Sequence, residues 1–258
     1  MVHWIESQST SVIACIVACL CYLLAAIVFG VVNALSRRPV AAHLHAISPV
    51  ILTPLAVILG LLVAFLAGRV WENIARANLY IEQEVSGLSK LMLFSNSLPP
   101  EVRAKVREAV AQHVDFVVTR DWPAMAVGRA NPRSDAVGLA NAMAGLLSFR
   151  PTQSEQQLQQ QRALASIEQA FEARRNRIAL SQTEIASVQW GVIFILTLLI
   201  LATIAVIHIG KPVAMASALF IFSTAISACL VLLMENDRPF SAGGITLEPT
   251  AFREIVLN

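Results

Sequence analysis

Four long stretches without a single ionisable Lys, Arg, Asp or Glu constrain this chain more than anything else in it: residues 7–36, 40–68, 185–210 and 212–234. A helix needs roughly 20 mainly apolar residues to cross the ~30 Å hydrocarbon core of a bilayer, and each stretch is long enough. With 56% hydrophobic and 14% charged residues, the chain is too apolar for an ordinary soluble domain. Its charges are packed between these stretches, as in a bilayer-spanning chain. The expectation is an all-α, polytopic membrane protein: four transmembrane helices, with a helical extramembrane insert between the second and third.

The expected divisions are residues 1–68 for the first two transmembrane helices, 69–184 for the insert, 185–234 for the third and fourth helices, and 235–258 for a C-terminal tail. No Lys or Arg precedes the first apolar run, which exceeds the h-region of a secretory signal, so it reads as a retained helix. Ser36-Arg37-Arg38-Pro39 closes it, and Pro49 and Pro54 bend the second span. That second helix continues past the membrane through Trp71, an interface anchor, and Glu72, Arg76, Glu82 and Glu84.

Within the insert, Val102, Val106, Val110, Val114 and Val117 form an apolar stripe after a Pro99-Pro100 helix start, and Asp121-Trp122-Pro123 is expected to end that helix. A short helix follows Asn131-Pro132, and a last one, from about Ser154, is expected to run into the third span through Trp190. His208-Ile209-Gly210-Lys211-Pro212 allows only a tight hairpin between the last two spans.

On the second span Ala56, Gly60, Ala64 and Gly68 recur every fourth residue, a face that lets another backbone approach closely. Nearly opposite lie Ile58, Leu62, Phe65 and Arg69. If subunits surround an axis, this face could form an apolar constriction that gates by dewetting; a lipid-facing surface would need the same residues. Glu72, Glu82 and Glu84 could form rings that attract cations at a pore mouth, whereas local ion pairing with Arg69 and Arg76 accounts for Glu72 equally well. His43, His45 and His208 fall in the loops opposite the insert, where a pH response and plain solvation are both open.

Other chemistry finds little footing. Cys15, Cys19, Cys21 and Cys229 lie in spans and read as small packing residues, so neither a metal site nor a cofactor is expected. The formal net charge of +2 gives no support to nucleic acid as a partner. No span holds an internal ionisable residue, which argues against an ion-coupled transporter, and no nucleophile elbow or phosphate loop suggests an enzyme. Arg69, Arg76, Arg174, Arg175, Arg177 and Arg238 on the insert side outweigh Arg37, Arg38 and Lys211 in the short loops, so insert and both termini are expected to be cytoplasmic. The Arg174, Arg175, Arg177 run could also attract anionic lipid.

Several short motifs occur together in order: Val63-Ala64-Phe65 through Trp71-Glu72-Asn73, Glu82 and Glu84, Leu98-Pro99, Asp121-Trp122-Pro123-Ala124-Met125, Arg174-Arg175-Asn176-Arg177, and Asp237-Arg238-Pro239-Phe240 with Pro249 and Phe252. In this combination the chain resembles the bacterial bestrophin-like family over nearly its whole length; the family's Pro-Phe-x-Gly turn is spaced out here by Ser241-Ala242. The resemblance implies a location in the bacterial inner membrane. It also implies likeness to bestrophins, oligomeric anion channels with two spans, a cytosolic helical insert and two further spans. On that footing the chain is a subunit of a homo-oligomeric ion channel in the lipid bilayer. The second helix is then the candidate pore helix, the insert a cytosolic vestibule, and inorganic ions the cargo. Glu235 and Asp237 are too few acids for the calcium clasp of animal bestrophins. The other reading is a non-conducting membrane scaffold or sensor whose insert binds a partner.

Overall fold

In the computed structural model, residues 10–38, 48–132, 136–241 and 247–257 are described, and every regular element among them is helical. Helix α1 covers Thr10–Leu35. A 3-10 turn, Pro49–Ile51, whose Ser48 side chain accepts the Val50 N–H, leads into α2, Leu52–Ser95. At 44 residues α2 is about twice the length a span requires. Then come α3 (Pro100–Phe116), α4 (Trp122–Ala126), α5 (Val137–Ser148), α6 (Ser154–Leu180), α7 (Ser187–Ile207), α8 (Pro212–Asn236) and α9 (Thr250–Leu257). Four of these, α1, α2, α7 and α8, are long and apolar enough to cross a membrane.

The chain forms two compact units: Met1–Trp71 with Glu184–Asp237, and Glu72–Thr183 with Arg238–Asn258. In the first, α1 packs on α8 and α7 through Ile13, Val17, Cys21, Ala25, Val28 and Val32, an inward stripe at helical spacing. Tyr22 stacks on Phe220 with ring centres 5.4 Å apart and shares a 2.8 Å hydrogen bond with Thr224, so a polar contact joins α1 to α8 within their apolar surroundings. The Asp237 carboxylate accepts the Ile185 N–H at 3.0 and 3.1 Å, which satisfies a donor just ahead of α7.

The second unit has its own hydrophobic core. Leu88, Leu91, Val106, Val110, Leu139, Leu146, Ile167 and Ile178 fill it, and the C-terminal segment adds Phe240, Phe252 and Ile255. Phe240, Phe252 and Ile255 of the tail thus pack into the core of this unit. Two glycines allow close helix crossings there. A Cβ at Gly87 would stand 2.9 Å from the Ser166 carbonyl oxygen, and one at Gly138 would stand 2.6 Å from both the Ala109 oxygen and the His113 nitrogen.

Two sequence expectations fail locally. Asp121-Trp122-Pro123 does not end the helix: Val117–Asp121 widens into a π-turn, in which the Trp122 N–H reaches back to Val117 O, and the chain continues helically to Ala126. A proline inside a helix lacks its donor and crowds the carbonyl four residues back, and the wider turn accommodates both effects. Nor does α6 run into the third span. It stops at Leu180, where Ser181 and Thr183 turn their hydroxyls onto the Ile178 and Leu180 carbonyls, and the next helix begins only at Ser187.

Because the obstacles at Gly138 are backbone atoms, Gly138→Ala is expected to destabilise the protein by about 1–3 kcal/mol through overpacking. Thermal unfolding of the detergent-solubilised chain would show a lower midpoint. An unchanged midpoint would mean that α3 and α5 can separate without cost.

Candidate functional site

Three faces of the membrane half of α2 behave differently. Leu59, Leu66 and Val70 are buried against the chain's own helices. Ile58 and Phe65 are 52% and 65% exposed, Leu62 is half-buried and Arg69 is exposed. Ala56, Gly60, Ala64 and Gly68 are exposed as well, and nothing stands within 4 Å of where a Cβ on Gly60 or Gly68 would lie. Among the described residues, nothing packs on the small-residue stripe at Gly60 and Gly68. With 3.6 residues per turn these sets point in three directions, so the described residues leave two faces of this part of the helix exposed. Of the four apolar helices, α2 has the least of its span buried.

Further along the same face, Glu72 pairs with Arg76 four residues on, the local ion pair that the spacing allows. Glu82 is exposed. Glu84 is not: it has no exposed surface, and an ion-attracting ring cannot include it.

Glu84 belongs instead to a buried ionic cluster. Arg177 donates to it from Nε at 2.8 Å and from Nη2 at 3.2 Å, and His113 Nε2 lies 3.0 Å from the same carboxylate. Arg174 grips Asp121 in the same two-pronged way, at 2.7 and 2.9 Å, and Arg177 lies 3.6 Å from Asp121. Two acids thus face two arginines. The His113 ring turns Nε2 toward the carboxylate, to which it donates, and its Nδ1 has no partner among the described residues. Trp122 and Phe252 stack on Arg177 at 5.2 and 5.4 Å, Trp122 meets Phe240 and Phe252 edge-on, and its Nε1 donates to Leu247 O at 3.0 Å. Arg177, which is paired with Glu84, thus also meets the tail at Phe252.

Burial alone would push the Glu84 carboxyl up, but the Arg177 guanidinium and the His113 ring beside it hold it below its usual range. Arg174 and Arg177 are inside the fold and offer no charge to a headgroup; of the basic run only Arg175 is exposed. His208 turns Nδ1 onto Ile204 O at 2.8 Å, capping the end of α7, while His43 and His45 lie outside the described residues.

The bestrophin-like domain model matches residues 19–252, all but the two ends of the chain. The chain belongs to the bestrophin-like family. It is a membrane protein of that family by this match and by its four apolar helices. No curated protein and no solved structure matches it.

Several family motifs now have physical content. Glu84, Asp121-Trp122, Arg174, Arg177, Phe240 and Phe252 are one contiguous buried cluster, not scattered markers. The sequence reads Arg174 and Arg177 as part of a basic flank that sets topology or attracts anionic lipid, but both fall on the inward stripe of α6 with Ala163, Ile167, Ala170 and Ile178.

Glu84→Gln would leave Arg177 buried without its counter-charge, at an expected cost of about 3–5 kcal/mol. Glu84's folded pKa lies below its unfolded value of about 4.3, so its stabilisation is complete above that value and is lost as pH falls through the folded one. The wild-type melting midpoint is therefore expected to drop on acidification below about pH 4 more steeply than that of the Gln variant. Parallel curves for the two proteins would rule Glu84 out as the group responsible.

Proposed function

We propose that the chain is a subunit of a homo-oligomeric bestrophin-like ion channel whose pore is lined by the membrane half of α2. The observation that carries this reading is that, among the described residues, two faces of the membrane half of α2 are exposed. In the assembly, the Ala56, Gly60, Ala64, Gly68 stripe packs against a neighbouring copy, because small residues let backbones approach. Ile58, Leu62 and Phe65 then face the axis as the apolar constriction, and Arg69 stands at its end. Family membership supports the same reading, since bestrophins form channels and not enzymes.

The charge at the mouth follows from the same helix. Arg69, Glu72 and Arg76 continue the Ile58–Phe65 face, and with Glu72 paired to Arg76 the set retains one positive charge per subunit, from Arg69. A ring of such charges raises the local anion concentration, and Glu82 lies beyond it. The proposed setting is the bacterial inner membrane, with the insert and termini cytoplasmic. After removal of Arg174 and Arg177 from the count, Arg69, Arg76, Arg175 and Arg238 still favour that side over Arg37, Arg38 and Lys211.

Planar-bilayer recordings of reconstituted protein test the proposal. Phe65→Ala and Leu62→Ala are expected to raise the current severalfold by widening the constriction. Arg69→Gln is expected to shift the reversal potential in asymmetric chloride away from anion preference. Wild-type and variant proteins that are equally silent, with folded and monomeric particles, would favour the scaffold reading.

A further inference from the structure

Within the insert, α3 and α5 run antiparallel, in tight contact at one end and apart at the other. A Cβ at Gly138 would meet the backbone of Ala109 and His113 at 2.6 Å, whereas at Gly145, about two turns on, its nearest neighbour would be the Lys105 Cβ at 3.9 Å. The divergence leaves a half-open groove of about 390 Å³. That volume is in the range of small-molecule sites, roughly 300–1,000 Å³. Ala109, Ala144 and Gly145 line the groove without filling it, and Lys105, Glu108, Gln112 and Asn141 supply its polar groups. Its two charges are held apart. Lys105 and Glu108 are three residues apart, a spacing that suits a local ion pair of the kind Glu72 and Arg76 form on α2. Among the described residues, however, Lys105 has no hydrogen bond or ion pair, and Glu108 has only an amide donor. Asn141 Nδ2 donates to Gln112 Oε1 at 3.3 Å, and Gln112 Nε2 donates to Glu108 Oε1 at 3.4 Å. This relay draws the carboxylate toward Gln112, on the side away from Lys105.

We propose that this groove binds a small amino acid, whose carboxylate accepts from Lys105 Nζ and whose ammonium donates to Glu108. The lining selects the class. One ammonium and one carboxylate, each without a counter-charge, match a zwitterion better than an anion or a cation alone. Among the described lining residues there is no arginine and no second lysine, so the groove lacks the bidentate grip that favours phosphate. Nor do those residues include an aromatic side chain, the usual partner of a quaternary ammonium, so the cation must be one that donates hydrogen bonds. The apolar surface comes from alanine and glycine, which leaves room for a short side chain and offers little to a long one.

The test uses the full chain in phosphatidylcholine nanodiscs and saturation-transfer NMR with L-alanine as the probe. Transfer to the alanine methyl group is expected at millimolar concentration. N-acetylalanine, which lacks the ammonium, and alaninamide, which lacks the carboxylate, should each bind at least about tenfold more weakly, since each loses one charged hydrogen bond. Glu108→Gln and Lys105→Gln should each weaken L-alanine binding by a similar factor. The double variant Lys105→Glu, Glu108→Lys keeps one charge of each sign and should recover most of the binding. Gly145→Leu should fill the groove and abolish transfer in protein whose melting midpoint is unchanged; if that variant fails to fold, the charge variants decide.

Equal transfer to N-acetylalanine or alaninamide, or equal transfer in wild type and both single charge variants, would reduce the groove to a solvated crevice and overturn the proposal. So would folded protein that shows no transfer to L-alanine, whether because water alone fills the groove or because a second copy covers it. None of these readouts depends on ion conduction, so this inference and the channel reading can fail separately.

Discussion

Arg177 has no exposed surface, and a guanidinium can be kept out of water only if its charge and its donors are all met. The insert is arranged around that requirement. Glu84 from α2 takes two of its donors, Asp121 from the π-turn lies 3.6 Å away, and Trp122 and Phe252 stack close by. The attraction between such a pair offsets desolvation only when the geometry is good and every remaining donor has an acceptor, which is why the cluster draws on so many elements. The π-turn is part of it: by widening ahead of Pro123, it allows Asp121 and Trp122 to be buried side by side. The tail segment closes the site with Phe240 and Phe252.

The membrane helices were legible because hydrocarbon tolerates so little: charge-free length alone marks them, and the four helices fall where the four stretches lie. The insert was less legible, because a charged residue is normally assigned to the surface. Glu84, His113, Arg174 and Arg177 break that habit together, and none of them can be buried without the others. The signal was nonetheless present in the spacing. His113 stands between Val110 and Val114 on the inward face of α3, and Arg174 and Arg177 continue the line of Ile167 and Ala170. Opposite charges occupying apolar stripe positions on different helices point to a buried pair. The break after Leu180 was hidden for a simpler reason. Residues 181–186 contain no Gly or Pro, and the chain leaves the helix there through hydroxyl and carboxylate bonds to the backbone, including the Asp237 carboxylate on the Ile185 N–H.

In hydrocarbon, an exposed leucine says nothing about a missing partner, because lipid is as good a neighbour as another side chain. The Ala56, Gly60, Ala64, Gly68 stripe is different. Lipid chains pack poorly into a groove that a second helix would fill, so an uncovered stripe of this length is better evidence for an unfilled helix contact than the large residues beside it. That is why the proposed assembly rests on this stripe as the subunit contact and leaves Ile58, Leu62 and Phe65 to the axis.

The buried ion pair also bears on the rotation of α2 about its own axis within the insert. In the insert part of α2 the buried residues include Ile74, Ala77, Ile81, Glu84, Leu88 and Leu91, a stripe spaced at threes and fours. On an uninterrupted helix, any residue held inward fixes the direction of every other. An apolar stripe alone fixes it weakly, since leucines tolerate small rotations at little cost. Glu84 does not: turning it out of line breaks two bonds to Arg177 and one to His113 and leaves a buried cation unpaired. The ion pair thereby pins the angular position of this part of α2 within the insert.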